Sequence, residues 1–493
     1  MVALTFRNTY LSEDPFYLSG VEALLGQSEG SSTWLYAGSQ ATGTITRFAL
    51  SQGGGLGSPT TVELSGNGSV FRVSDLALIG DGSGAELLAS RVHTQQINSF
   101  DIGSTGALSG QTQAISALAA PVTQIATITI GARDFLITGT RDAPGMQIYE
   151  WQASGQPALR DSVTDHAKVA LGNVSDIATI TVDGTPFLLT ASAQDNAISS
   201  FHIAADGSAT LIDSFGIKDG LYVSGLDSIA SVSAHGTEFA VVGATGSSTL
   251  SLMRVNPMGV LYLEDHVIDS LATRFSRIDA LATLSIGDRG FVLTGGGDDG
   301  IGLMEILPDY QLLAHGSLLN TPGGALSNLT ALTTVTLGTE VQVIAAGQPG
   351  LTLATLDSAD IAAPMIGTAA ANSLTGSARQ DLIWGGAGDD QLFGGAGDDV
   401  LMGGAGYDRM TGGAGADIFC LDDDLPVDRV LDFNLGEDRI DISRWGVQSL
   451  DALTIISRSY GAELRYGDFA ARLYDDGGAQ LYSSDFSTSD FIF

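Results

Sequence analysis

Residues 385–420 constrain the fold more than any other part of the chain. They read GGAGDDQLF, GGAGDDVLM, GGAGYDRMT and GGAGADIFC, four consecutive nine-residue units in phase. Each unit has Gly at positions 1, 2 and 4, Asp at position 6 and an apolar residue at position 8. Such a period predicts a parallel β-roll, whereas a flexible linker would need no Asp or apolar residue at fixed phase. The position-8 residues should stack as an apolar ladder inside the roll: Leu392, Leu401, Met410 and Phe419.

The same units indicate a calcium site. Glycine permits positive φ, so each turn can aim its carbonyl oxygens at one point. The position-6 Asp adds a hard anionic oxygen of the kind that Ca²⁺ prefers. These units resemble the RTX repeats of proteins that Gram-negative type I secretion systems export. The resemblance implies Ca²⁺ ions between turns two units apart, held by loop carbonyls and position-6 carboxylates.

Carried over residue by residue, the resemblance implies three or four calcium sites. The best should lie between the loops that begin at Gly385 and Gly403, and between those that begin at Gly394 and Gly412. Two degenerate units precede them, at 367–375 and 376–384, and Arg379 stands where the second unit should have its third Gly. The implied carboxylate ligands are Asp381, Asp390, Asp399, Asp408 and Asp417, with Asn372 as a weaker one. The implied carbonyl donors are Gly386, Gly388, Gly395, Gly397, Gly404, Gly406, Gly413 and Gly415. The position-5 residues Asp389 and Asp398 are expected to face solvent.

The charge balance argues against two classes of partner. The chain of 493 residues has a formal net charge of −35. Such an acidic surface repels phosphate backbones and anionic lipids, so no nucleic-acid partner is expected. The longest apolar runs fall short of a membrane helix, so no membrane span is expected either. The single cysteine, Cys420, stands at position 9 of the last repeat, and we interpret it as a small structural residue.

A second, longer repeat fills the first 357 residues. Its copies align on the apolar residues Leu24, Leu76, Ile125, Ile177, Ile229, Leu281 and Leu332, which are spaced 49 to 52 residues apart. Each copy holds several short β-rich runs separated by turn signals. Seven such copies predict a seven-bladed β-propeller similar to the broad lactonase-like group, because this period suits one four-stranded sheet. A stack of β-sandwich domains is the alternative, but the period is too short for a sandwich.

These patterns predict an all-β protein, an N-terminal seven-bladed β-propeller followed by a C-terminal parallel β-roll with a β-rich cap. The propeller should span residues 1–357, with residues 2–10 supplying the missing strand of the last blade and so closing the ring. A linker at 358–366, the roll at 367–420 and the cap at 421–493 should follow.

The C-terminal segment suggests an export route. Residues 421–446, LDDDLPVDRVLDFNLGEDRIDISRWG, resemble the segment after the roll in serralysin-type proteases. The chain ends in Ser489-Asp490-Phe491-Ile492-Phe493, which resembles a type I secretion signal, although a final edge strand would read similarly. The N-terminus lacks the pattern of a Sec signal peptide. The resemblance therefore implies the type I secretion apparatus as a partner and an extracellular or cell-surface location.

Two functions remain open for the propeller. It could be an extracellular binding or structural module, such as an adhesin, surface-layer or matrix component, with a protein or glycan ligand. It could instead be a lactonase-like, metal-dependent hydrolase with its site at the propeller mouth. Polar residues of the loops between the second and third strands of the blades should gather at this mouth. Tight turns need the same residue types, so these residues could equally be turn residues. The set is His93, Gln95, Arg141, Asp142, Asp195, Asn196, Asp298, Asp299 and Gln348. The sequence contains no HExxH, GxSxG or P-loop motif. Ala-Thr pairs in the inner strands favour a channel filled by small residues, which is expected of a binding module.

Overall fold

The computed structural model confirms the predicted fold class. It describes residues 2–11, 18–30, 32–64, 72–80, 84–91, 95–115, 122–140, 145–152, 157–270, 273–322 and 324–493. The described chain is nearly all β-structure, with a propeller followed by a parallel β-solenoid. One compact unit holds most of the propeller, Leu4–Ser285 and Gly290–Leu356, and the other holds Asp357–Phe493 with the short stretches 2–3 and Ile286–Arg289.

The propeller consists of seven antiparallel sheets, one per sequence repeat. Blade 1 contains Val21–Glu29, Ser32–Ser39, Thr44–Ser51, Gly55–Leu56 and Thr60–Glu63; blade 2 contains Val73–Ile79, Glu86–Arg91, Ile97–Ile102 and Leu108–Ile115; blade 3 contains Val122–Ile130, Arg133–Thr140, Gly145–Glu150 and Ala158–Thr164. Blade 4 contains Val174–Val182, Thr185–Ser192, Ala197–Ile203 and Ala209–Phe215; blade 5 contains Leu226–Ala234, Thr237–Ala244, Thr249–Val255 and Leu261–Ile268; blade 6 contains Ala280–Ile286, Arg289–Gly295, Gly300–Ile306 and Leu312–Leu319. Blade 7 contains Ser327–Leu337, Glu340–Gln348, Gly350–Asp357 and the N-terminal strand Thr5–Leu11.

Local sequence explains the hairpins within each blade. In blade 4, Asp183 and Gly184 form the first turn with φ of 48° and 76°. A two-residue turn that matches the strand twist requires positive φ at both positions, which Asp tolerates and Gly favours. A single 3₁₀ turn, Ile217–Asp219, follows the outer strand of this blade.

The propeller core lies between adjacent blades. Alternate apolar residues of each sheet pack against the facing sheet, as Leu189 of blade 4 and Val242 of blade 5 do. Hydroxyl groups on the inner strands add bonds between blades: Thr283 Oγ1 donates to the Ser231 carbonyl at 2.7 Å, and Ser231 Oγ donates to the Thr179 carbonyl at 2.9 Å. The Thr of the repeated Ala-Thr pair therefore joins neighbouring blades.

The N-terminal strand closes the ring. Thr5–Leu11 pairs antiparallel with Gly350–Asp357, with Thr5 opposite Thr355 and Leu11 opposite Gly350. The Tyr10 hydroxyl then reaches blade 1, where it donates to the Gly54 carbonyl at 3.1 Å and accepts from the Leu56 amide at 2.9 Å. One strand therefore joins the last blade to the first and covers an edge that would otherwise be open.

We expect Tyr10→Phe to lower the free energy of propeller unfolding by about 1–3 kcal/mol, because it removes two hydrogen bonds at the closure. Urea denaturation of the full chain in Ca²⁺ measures this change when unfolding is followed by a signal that comes from the propeller. Tyr262→Phe is the matched control, since its exposed hydroxyl contacts only the Asn256 side chain, at 3.4 Å, among the described residues. Equal shifts in the two variants would show that Tyr10 does not help to close the ring.

The roll is built from two ladders of parallel strands, and the second ladder ends in an antiparallel addition, where Gly461–Tyr466 pairs with Phe469–Asp475 and with Thr454–Arg458. Strands 18 residues apart pair in register, as Leu401 of one strand does with Ile383 of the strand before it. One ladder contains Met365–Thr368, Leu382–Ala387, Val400–Ala405, Ile418–Cys420, Arg439–Asp441 and Phe491–Ile492. The other contains Ser373–Thr375, Gln391–Ala396, Arg409–Ala414, Asp428–Phe433, Phe469–Asp475, Gly461–Tyr466 and Thr454–Arg458. A 3₁₀ turn, Ser358–Asp360, precedes the first strand.

The ladders continue past Cys420, where the predicted roll at 367–420 ends. Val430 and Ile440 carry no nonapeptide pattern, yet both are fully buried in the cluster that contains Leu392, Leu401 and Met410. The apolar ladder thus passes from repeat to non-repeat sequence without interruption. The cap adds short 3₁₀ turns at Ser443–Trp445, Leu450–Ala452 and Thr488–Asp490.

Phe491, in the last strand, pairs with Ile440 and is buried. No helix in the described ranges is long and apolar enough to cross a membrane.

Candidate metal centre

The Gly-rich turns line the two edges of the roll. The loops 385–390 and 403–408 stack on one edge, and the loops 394–399 and 412–417 stack on the other. The glycines at positions 2 and 4 all have positive φ, between 89° at Gly404 and 143° at Gly406. A side chain is strained in that region, which explains why glycine recurs there. The structure therefore brings the predicted carbonyl donors into stacked turns.

Each position-6 Asp is buried and bonded to the preceding rung. The Asp399 Oδ1 accepts from the Asp381 amide at 2.8 Å, and the Asp408 Oδ1 accepts from the Asp390 amide at 2.7 Å. Asp390 and Asp417 make the corresponding bonds with Asn372 and Asp399. These bonds fix one carboxylate oxygen of each residue and leave the other for a further partner.

The second oxygens are the strongest sign of a bound cation. The Oδ2 atoms of Asp390, Asp399, Asp408 and Asp417 are buried and accept no hydrogen bond from the described part of the chain. An anionic oxygen buried in this way is costly unless a charge or a donor compensates it. Calcium takes carboxylate and carbonyl oxygens, and the turns supply both. The residues present therefore fit Ca²⁺.

The first glycine of each unit keeps space open at this point. A Cβ at Gly385 would overlap the Asp390 Oδ2 and stand 2.5 Å from the Gly403 carbonyl oxygen of the next rung. Gly394 has the same relation to the Asp399 Oδ2 and the Gly412 carbonyl. The free carboxylate oxygen and the next carbonyl thus converge where a side chain would otherwise lie.

Asp381 differs from the other position-6 carboxylates. Its Oδ2 accepts from the Ser377 amide at 2.8 Å and from the Ser377 hydroxyl at 2.9 Å. Ser377 stands where a full unit has its second Gly, so the departure in this unit changes the chemistry of the carboxylate. Asn372 uses its Oδ1 in the same way, accepting from the Thr368 amide. The first turns of the roll thus hold their own polar side chains.

The position-5 carboxylates accept hydrogen bonds from backbone amides of the next rung. Asp389 is exposed and its Oδ1 accepts from the Tyr407 amide at 3.1 Å. Asp398 is half-buried and accepts from the Ala416 amide at 2.9 Å. Both therefore bond to the next rung, an additional role that the sequence does not indicate.

Burial sets the protonation of the carboxylates. It raises the pKa of Asp399, Asp408 and Asp417 to about 7 each, and neighbouring carboxylates add to the effect. The metal-free folded roll therefore holds protons that an unfolded chain releases near pH 4. Its stability is greatest below that pH and falls as the pH rises toward the raised pKa values, where a metal ion must replace the protons.

The geometry defines a class of protein: a parallel β-roll with stacked Gly-rich turns around buried carboxylates that suit calcium. Residues 366–401 and 393–424 match the RTX calcium-binding nonapeptide repeat. The C-terminal region therefore carries RTX calcium-binding repeats, which confirms the resemblance drawn from the sequence. No curated protein matches the chain at a significant level.

The polar loops of the propeller have structural partners. The Asp195 Oδ2 accepts from the Gly172 amide at 2.8 Å, and the Asn196 Oδ1 accepts from the Gly225 amide at 2.7 Å. The Asp298 Oδ2 accepts from the Ser276 amide at 3.3 Å. These side chains order the loops that enter the inner strands. His93, Arg141 and Asp142 lie outside the described residues.

A different set of side chains lines the mouth of the propeller channel. A cavity of about 320 Å³ is bounded by residues at the start of all seven inner strands. Its acidic members are Glu22, Asp75, Asp176, Asp227 and Asp279. Burial and then the nearby Asp279 and Asp227 carboxylates raise the pKa of Glu22, so these three groups interact. The channel mouth is therefore acidic.

Two of these carboxylates join neighbouring blades. The Asp75 Oδ2 accepts from the Ile125 amide, and the Asp176 Oδ2 accepts from the Ile229 amide, each at 2.9 Å. Burial raises their pKa values to about 7 and about 8. In the sequence, these carboxylates share one feature: each stands one or two positions before the apolar residue on which its repeat was aligned. A bulge at the start of these strands, as between Val73 and Asp75, obscures the alternation on which it depends.

Proposed function

We propose that the chain is a secreted calcium-binding RTX protein. In this proposal a type I system exports it from a Gram-negative cell, and its propeller is an extracellular binding or structural module. The observation that carries the proposal is the set of buried Oδ2 atoms at Asp390, Asp399, Asp408 and Asp417. A roll of this kind is stable only where calcium is abundant, as it is outside cells. Calcium would then trigger folding after export.

The proposed calcium ligands follow from the stacked turns. The carboxylates are Asp390, Asp399, Asp408 and Asp417, with Asp381 a weaker ligand because Ser377 occupies its second oxygen. The proposed carbonyl donors are Gly386, Gly388, Gly395, Gly397, Gly404, Gly406, Gly413 and Gly415. Once bound, the ion would neutralise the carboxylates and join successive rungs.

Export is tested by locating the protein in culture. In a Gram-negative host with a type I system, we expect the full chain in the supernatant and a chain lacking residues 434–493 in the cell pellet. The reciprocal arm attaches residues 434–493 to a cytoplasmic reporter, which should then leave the cell. Retention of the full chain inside cells whose type I system exports a known substrate would contradict the proposal.

The propeller role is supported by the way its polar groups are used. Within the described ranges, no group of three or more His, Cys, Asp or Glu side chains is placed to hold a metal ion. Three of the loop residues expected at the mouth, Asp195, Asn196 and Asp298, are occupied in loop hydrogen bonds. An acidic cavity at the start of the inner strands suits recognition of a surface ligand. A glycan and protein array in Ca²⁺ tests this role, with Glu22→Gln and Asp279→Asn as variants of the cavity.

A metal-dependent hydrolase with its site at the propeller mouth is the second candidate. The interacting carboxylates of Glu22, Asp227 and Asp279 favour it, since carboxylates are possible metal ligands or bases. Lactone and ester substrates supplied with divalent cations would test this function. Turnover that Asp279→Asn abolishes would establish it, and absence of turnover across the panel would leave the binding module.

A further inference from the structure

The mouth face, the end of the propeller at which the inner strands begin, combines an acidic centre with exposed apolar side chains. The register of blade 5 relates the two. Leu226 precedes Asp227 of the cavity and pairs with Ala244. Ala244 pairs in turn with Thr249, and Thr249 pairs with Ile268. Neighbouring strands are about 4.8 Å apart, so Ile268 lies at the outer end of a row that begins beside the cavity and spans roughly 14 Å.

Blades 6 and 7 repeat this arrangement. Leu319 ends the outer strand of blade 6 and Leu11 ends that of blade 7, each opposite the first residue of the third strand. Ile268 has the same place in blade 5. All three side chains are more than half exposed. Three successive blades therefore present an apolar side chain at the outer edge of the mouth face.

The connection between blades 4 and 5 adds two larger apolar groups to this edge. It follows the outer strand of blade 4, and the Leu221 amide donates to the Gly216 carbonyl at 3.1 Å. The Leu221 side chain is fully buried and fixes the connection, yet Ile217 and Tyr222 are 63% and 72% exposed. Single exposed apolar residues are ordinary on protein surfaces, but their recurrence at one end of four successive blades favours a contact surface.

The centre of the mouth face attracts positive charge. The cavity of about 320 Å³ contains the interacting carboxylates of Glu22, Asp227 and Asp279, and its lining includes no lysine or arginine among the described residues. Ser228 lines the same cavity, is 8% exposed, and its Oγ makes no hydrogen bond within the described chain. Carboxylates and a hydroxyl all accept hydrogen bonds, and the ammonium and guanidinium groups of proteins are charged donors. A cationic side chain therefore complements this cavity.

We propose that the mouth face binds a segment of another protein that carries a lysine or arginine together with an apolar residue. The cationic side chain enters the acidic cavity, and the apolar side chain packs on the rim. An extended chain advances about 3.3 Å per residue, so roughly four residues separate the two groups in the segment. Neutral and acidic glycans lack the positive charge that the cavity favours. The inference rests on the proposed binding role of the propeller and adds the chemistry of its partner. The rim consists of Leu11, Ile217, Tyr222, Ile268 and Leu319.

Peptide display on the full-length protein tests this pairing, in Ca²⁺ and about 0.15 M salt to screen general attraction. We expect the enriched peptides to combine a lysine or arginine with an apolar residue about four positions away. Enrichment of neutral or acidic peptides, or of none, would overturn the inference. If the array then shows a glycan or a non-basic protein bound, the propeller would remain a binding module with a different partner. The two failures are therefore distinguishable.

Variants of an enriched peptide's binding surface separate charge from apolar contact. Asp279→Asn should weaken binding about tenfold or more, because a charged hydrogen bond to the cation is lost. Ile268→Ser should weaken it by about the same factor without any change of charge, because less apolar surface is buried.

The matched controls lie at the opposite end of the blades. Asp206→Asn and Met258→Ser alter exposed residues in turns between the third and fourth strands, and both should bind like the unaltered protein. Equal losses in Asp279→Asn and Asp206→Asn would show that the peptide responds only to the acidity of the whole chain. Unchanged binding in Ile268→Ser would show that the rim takes no part. Either result would overturn the inference.

Discussion

Chelation of Ca²⁺ from the full-length protein at about pH 8 should unfold residues 365–493 and leave the propeller folded. The reason is electrostatic, since burial raises the pKa values of Asp399, Asp408 and Asp417 to about 7, and above that pH the metal-free carboxylates are ionised. The core of the roll consists of its own residues, from Ile383 to Phe491, so it can unfold separately. Hydrogen exchange by peptide should show loss of protection in the roll alone.

The expected effect is large compared with the stability of a domain. One site contributes about 2.7 kcal/mol when free calcium is 100 times its dissociation constant. Four sites of this kind would contribute roughly 10 kcal/mol, comparable with the entire free energy of unfolding of a typical domain. Removing calcium should therefore abolish the folded roll rather than loosen it.

Magnesium is the matched control for chelation. Mg²⁺ demands near-ideal octahedral geometry at short distances and retains its water, so Mg²⁺ with a calcium chelator should not restore protection. Propeller peptides in the same sample serve as the internal reference. Equal protection of residues 365–493 with and without calcium would show that the roll does not need the ion.

The periodic parts of the fold could be predicted from the sequence because each repeat has its turn residues and its buried apolar residues at fixed positions. Leu392, Leu401, Met410 and Phe419 were expected to form an interior ladder, and all four are fully buried. The 49- to 52-residue period likewise predicted seven blades, and the structure has one sheet for each of the seven copies. Period and apolar phase together were sufficient for these elements.

The non-periodic parts could not be predicted, for physical reasons that differ between sites. Val430 and Ile440 continue the apolar ladder without a Gly pattern, so nothing local distinguishes them from an ordinary strand. At the propeller mouth, Glu22 and Asp279 converge only once the ring has closed.

Asp399→Asn should raise the calcium concentration needed to fold the roll by about 10- to 100-fold, the loss that follows even from altering residues that support a metal ligand. Asn can keep the Oδ1 that accepts from the Asp381 amide at 2.8 Å. It replaces the free Oδ2 with an amide nitrogen, which cannot bind a cation. A calcium titration of the folded fraction, followed by circular dichroism, measures this midpoint.

The same substitution should act in the opposite direction without calcium. Asp399 has a pKa raised to about 7 by burial, so above that pH the metal-free roll contains a buried charge that Asn removes. Asp399→Asn should therefore leave the metal-free roll as stable as before or more stable. Asp398→Asn is the matched control, because it removes an equal charge from the adjacent residue while keeping an acceptor for the Ala416 amide. If the two variants shift the calcium midpoint equally, general charge and not coordination by Asp399 sets the response. A selective shift at Asp399, reversed in sign when calcium is removed, would identify its carboxylate as a ligand.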